Sequence, residues 1–230
     1  MPSGTTSEKI FGSADPHIIR DTHVPSEPMS MTTTIKGITY STVKPKLTVT
    51  TDRQIYKGAD SMASHPDRHL HATSTYKIKM IFDKEQEPVM QSIAAQLLNL
   101  HPYFGINGYV DLATAYVQGI RTDQLETDYL QYPLVTIFND WGSEEEKSML
   151  LAAILAYGGY DTALLTFSDN HYGVGIKSTQ PDKYPLTNGY AVIETTYPTK
   201  IGTTHRNTEA IVSKVGTGKA LYLEGNIITP

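Results

Sequence analysis

Three short stretches of this chain carry residue types that could do chemistry. The first is HPDRHLH, where His65, His69 and His71 stand close enough to hold a metal ion together with Asp67. The same spacing also suits an exposed polar loop. The second is WGSEEEKS, residues 141–148. Ser143 followed three positions later by Glu146 is the pattern of a helix capping box, and Glu144, Glu145 and Glu146 put negative charge where a helix start is positive. Ser143 is a candidate nucleophile or simply that helix's N-cap. Trp141, the single tryptophan, stands just ahead as a candidate binding or packing residue. The third stretch is NHYGVGI, with His171 and Tyr172 at the head of a strand pattern.

The segment that must position them is the one after the glutamates. Residues 149–155 are apolar without a break, so this helix is enclosed by protein on all sides. Gly158 and Gly159 give it a left-handed stop. Before it, residues 88–100 form an amphipathic helix with Val89, Ile93 and Leu97 on one face, beside Met90, Ala94 and Leu98. Asn107 caps a further helix with Val110, Ala113, Tyr116 and Val117 inward, and Tyr132-Pro133 opens a short one through Phe138. After it come strands at 162–167, 172–177 and 190–195, and a last one at 220–228. Helices, one buried helix and then antiparallel strands make an α+β domain.

The first part of the chain is of different composition. Residues 1–80 hold ten Lys/Arg and seven Asp/Glu, whereas 81–230 hold nine and seventeen, within a net charge of −5. Residues 1–30 are rich in Ser, Thr, Pro and Asp and cannot offset their own ordering entropy. Residues 31–57 read as two or three short strands with turns near Gly37 and Pro45, 58–74 as loop, and 75–82 as a strand. This predicts a polar N-terminal arm over 1–74 that contacts a protein partner, and a domain over 75–230. Self-association is open, and the net negative charge speaks against nucleic acid.

No apolar run approaches twenty residues and no secretory leader is evident, so the expectation is a protein of the cytoplasm or of a particle, with no membrane span. With no cysteine, disulfides, thiolate metal sites and a thiol nucleophile are all excluded, and no cofactor is expected. Fifteen tyrosines offer a rim for a groove or interface through Tyr103, Tyr109, Tyr129, Tyr132, Tyr184, Tyr190 and Tyr197.

Four ordered blocks, AYVQGIRTD, the stretch YLQYPLVTIFNDWGSEEEKSMLLAAILAYGGYDTALLTF, NHYGVGI and YAVIETTYPTKIG, resemble the transglutaminase-like (papain-type) domain of archaeal and bacterial proteins. They span residues 116–202, roughly a third to a half of the chain. The family's second block reads like G-D-C-E-D-K-S. Gly142, Glu145, Lys147 and Ser148 match it, Glu146 replaces its acidic partner, and Ser143 stands where Asp would. Glu144 stands where the nucleophilic cysteine would. The resemblance implies that His171 is the family's histidine, Glu194 its orienting acid, and Gln118 a weaker match to an oxyanion-stabilising glutamine. It implies that Trp141 walls the old groove, and Tyr172 is a further candidate binding residue. A carboxylate is a poor nucleophile towards amides, so the expected site is a salt bridge of Glu144 and protonated His171 in an inactive domain that serves as a structural or binding subunit. The alternative is a hydrolase in which His171 and Glu194 work with Ser143, or in which Glu144, Glu194 and His171 hold a metal.

Overall fold

The computed structural model describes residues 46–63, 73–100, 108–122, 130–168, 171–178, 186–197, 199, 201–202 and 210–217, and the backbone of strands at 17–23, 34–35 and 38–39. The described residues form a mixed helix-and-sheet, α+β arrangement around one long helix.

Strand β1 (His17–His23) pairs antiparallel with β4 (Lys46–Asp52), and β2 (Thr34–Ile35) pairs with β3 (Ile38–Thr39). Helix α1 (Arg53–Ala63) follows directly, its first turn held by the Asp52 side chain accepting from Gln54 N at 2.7 Å. The sequence suggested strand and then, from Gly58, loop here. In the structure Gly58 and Ala59 are buried, and the Tyr56 ring on the same helix packs tilted against Phe138 with centroids 5.6 Å apart. A second correction concerns 75–82, which is not a strand. Helix α2 (Ser74–Ile81) is capped by Thr73 and buries Lys77, Met80 and Ile81 at helical spacing, whereas Tyr76, Ile78, Met80 and Phe82 alternate in the sequence as a strand would. Packing on the central helix decides between the two periods. Leu47 and Val49 on β4 and Ala59 on α1 belong to the same buried cluster as that helix, so the core does not break at residue 74.

Helices α3 (Glu87–Leu100), α4 (Gly108–Gln118) and α5 (Pro133–Asn139) lie where the sequence puts them. They surround α6 (Glu144–Tyr157), in which every residue from Glu146 to Tyr157 is buried. The capping box is present: Ser143 Oγ accepts from Glu146 N at 3.3 Å, and Glu146 Oε2 accepts from Ser143 N at 2.8 Å. Gly159, at φ 91°, supplies the left-handed stop. Two residue pairs of parallel ladder, β5 (Arg121–Thr122) and β6 (Trp141–Gly142), tie the end of α4 to the start of α6.

One face of α6 lies on an antiparallel sheet of order β11-β7-β8-β10-β9. Strands β7 (Thr162–Phe167), β8 (Tyr172–Lys177) and β10 (Tyr190–Ile193) correspond to the expected three. β10 stops two residues short of the expected end because Glu194 and Thr195 turn away in a side-chain-bonded corner. Strands β9 (Leu186–Thr187) and β11 (Ala210–Gly216) were not anticipated. The candidate strand at 220–228 lies outside the described residues. No helix among the described residues is long and apolar enough to cross a membrane.

Candidate functional site

Three elements meet at the start of α6. Glu144 is its first residue, His171 closes the β7–β8 connection, and Glu194 directly follows β10. His171 is placed by its own backbone, whose carbonyl accepts from Phe167 N at 2.9 Å, and by its ring packing 5.6 Å from the Phe167 ring. Its imidazole lies between two carboxylates. Nδ1 is 2.7 Å from Glu144 Oε2 and Nε2 is 2.7 Å from Glu194 Oε2. A carboxylate can only accept, so both ring nitrogens donate and the ring is an imidazolium.

Electrostatics agree with that geometry. Hydrogen bonding to Glu144 and to Glu194 raises the His171 pKa to about 10, against a desolvation that would lower it. Burial pushes the Glu194 carboxyl up, but the bonds from His171 and Thr196 outweigh it and hold the group at about 2. Glu194 Oε1 accepts from Thr195 N and Thr196 N, each at 2.9 Å, and from the Thr196 hydroxyl at 2.6 Å. The two acids differ in access. Glu194 is 3 % exposed, whereas Glu144 is 39 % exposed at the mouth.

The three adjacent glutamates take three separate partners. Glu144 takes His171. Glu145 is ion-paired with Lys77 of α2, whose ammonium lies 4.9 Å above the Tyr172 ring. Glu146, pushed up by burial, is held by Ser143 N, Gln131 N at 2.7 Å and Gln131 Nε2 at 3.2 Å. Gly142 makes room for this last group, since a Cβ there would sit 2.9 Å from Thr136 Cγ2 and 3.3 Å from Glu146 Oε2.

The structure thus brings together Glu144, His171, Glu194 and Gln118, whose Nε2 donates to the Glu194 carbonyl at 2.9 Å. That contact makes Gln118 a support for the Glu194 corner. Ser143 Oγ is the N-cap, and both nitrogens of the imidazole that would have to activate it are bonded to carboxylates. The same two bonds leave His171 no lone pair for a metal. Among the described residues no group of three or more His, Cys, Asp or Glu side chains is placed to hold a metal ion. His65, His69 and His71 lie outside them. Tyr172 sits beside Lys77 and Glu145, and Trp141 is half-buried on β6. Tyr109, Tyr132 and Tyr190 are buried and so do not rim a groove; their rings are core packing. Tyr197 is half-buried, and Tyr103, Tyr129 and Tyr184 lie outside the described residues.

Sequence reasoning missed Lys77, because residues 75–82 read as a strand, and the Thr195-Thr196 donors. An acid followed by two threonines is a local signal for such a corner. As it stands, the arrangement offers neither a free base nor an activated nucleophile. It is a charged clamp across a helix and two strands. No protein-family profile, curated protein or solved structure matches the chain.

Proposed function

We propose that this chain is a catalytically silent relative of the transglutaminase-like, papain-type domain, working as a structural or binding subunit of a larger assembly. The observation that carries the reading is the Glu144–His171 contact. An acid at the first turn of a buried helix meets a strand histidine that a second strand's acid orients, and this is the layout in which such a domain would keep its thiol. With a carboxylate in that place the ion pair persists across neutral pH, and the group that would attack an amide is absent.

Glu144→Cys tests the reading. A thiol set beside the His171 imidazolium and the α6 amides has its pKa lowered. The rate of iodoacetamide alkylation should then plateau below pH 7, and adding His171→Ala should return it to an ordinary thiol profile near pH 8.5. A thiol that titrates ordinarily with His171 in place sinks the kinship. The wild-type chain should hydrolyse no peptide or amide substrate. For the assembly role, sedimentation of the chain with and without residues 1–30 is decisive. We expect larger species to be lost with the arm, and unchanged species would refute its part.

A further inference from the structure

Beneath the clamp lies a lysine that the acid–imidazole–acid contact does not use. Lys147 is fully buried, three residues along α6 from Glu144 and so on nearly the same helix face. Its ammonium donates to Ile120 O at 2.7 Å and to Thr122 Oγ1 at 2.9 Å. The Thr122 hydroxyl then donates to Thr196 O at 3.4 Å. Thr196 grips Glu194 Oε1 through its amide and hydroxyl, and Glu194 Oε2 holds His171, which returns to Glu144 on the helix that bears Lys147. The contacts close a ring through α6, β5, the corner after β10 and the head of β8.

Burying an ammonium is costly, and a methionine would fill much the same volume without that cost. Packing therefore does not account for a lysine here; what it holds does. We propose that Lys147 is a positioning residue for the clamp, fixing the Glu194 carboxylate against His171 through Thr122 and Thr196. Its charge also brings two carboxylates and one imidazolium to neutrality. Burial lowers its pKa to about 8 while Glu194 and Glu144 oppose the shift, so the ammonium form dominates at neutral pH. This assignment rests on the hydrogen bonds alone and stands apart from any kinship of the site.

Among the described groups facing His171 are Glu144 from α6, Glu194 from the β10 corner and the Phe167 ring from β7; Lys147 lies behind the acids, and Glu145 is turned to Lys77. That set makes the sign of one measurement diagnostic. Lys147 has largely shed its proton by the pH at which His171 titrates, so at that midpoint it acts through its hydrogen bonds, and replacing it without moving anything would leave the proton affinity of His171 unchanged. Loosening Glu194 would lower it. Histidine 15N NMR titration of the full chain between pH 6 and 11 should show the proton affinity of His171 falling about tenfold or more in Lys147→Met, a shift of one pKa unit. Thr122→Val, which keeps the ammonium and cuts the link, should move it the same way by less, and Thr122→Ser should leave it at the wild-type value. A His171 titration that is unchanged or raised in Lys147→Met overturns the proposal. Should that variant fail to fold, an unmoved titration in Thr122→Val overturns it as well.

Discussion

The two ends of α6 are held by different physics. At the first turn, each glutamate has a partner from another element, and the contacts are ionic or charge-assisted. The last turn itself carries no charged residue. Tyr109 donates to Ile154 O at 2.6 Å, its ring stacks on Tyr160 at 5.5 Å, and Gly158 gives that ring its space. Burial raises the Tyr109 hydroxyl well above its ordinary pKa, so it stays a neutral donor. One end responds to protons and salt, and the other to volume. A helix buried on all sides needs both, since apolar packing does not fix where it sits along its own axis, whereas directional bonds at a terminus do.

The largest expected effect is at the aromatic end. Tyr109→Ala should cost about 4 kcal/mol in denaturant unfolding through the cavity it leaves. That loss should be the same at pH 5 and pH 8. His171→Ala should cost about 3 kcal/mol, because Glu194 stays buried at 3 % exposure with its counter-charge gone. Here the pH course separates the two ends. A raised histidine pKa contributes stability that is complete below the unfolded value of 6.5 and is lost as pH climbs towards about 10. A depressed carboxyl pKa contributes stability present above 4.5 and lost as pH falls towards about 2. The wild-type advantage over His171→Ala should therefore peak between pH 4.5 and 6.5 and shrink on either side. A difference that is flat with pH would erase the contrast.

Gly158→Ala comes next. A Cβ there would stand 2.3 Å from the Tyr109 ring, and about 2 kcal/mol should be lost whatever the salt. The smallest effect is at Lys77, whose Glu145 partner is partly exposed. Lys77 is itself buried, so Lys77→Met should cost about 1 kcal/mol or slightly more, and high salt should remove only part of that.

How far the sequence carried this picture varies along the chain for physical reasons. The capping box, the unbroken apolar run and the Gly-Gly stop are local signals, and α6 lies where they put it. Glu144, His171 and Glu194 could be paired in advance only through the resemblance of ordered blocks, because their contact spans three elements. Residues 53–63 and 74–81 misled because a buried glycine and a short alternating run are ambiguous until a partner surface chooses. β11 was missed because its mixed pattern, with Ile211 71 % exposed, gives no clean alternation. For Lys147 the sequence offered only a match to the second block of the resembled family, and its contacts with Ile120 and Thr122 are visible in the fold alone.

The central claim is that an acid–imidazolium–acid clamp occupies the head of α6. Its most direct test is the 15N titration of His171 in the wild-type chain and in Glu144→Gln. The clamp requires both ring nitrogens to stay protonated past pH 8, with a midpoint at about 10 that falls by at least about one unit when Glu144 loses its charge. A midpoint near 6.5 that ignores the substitution would contradict it.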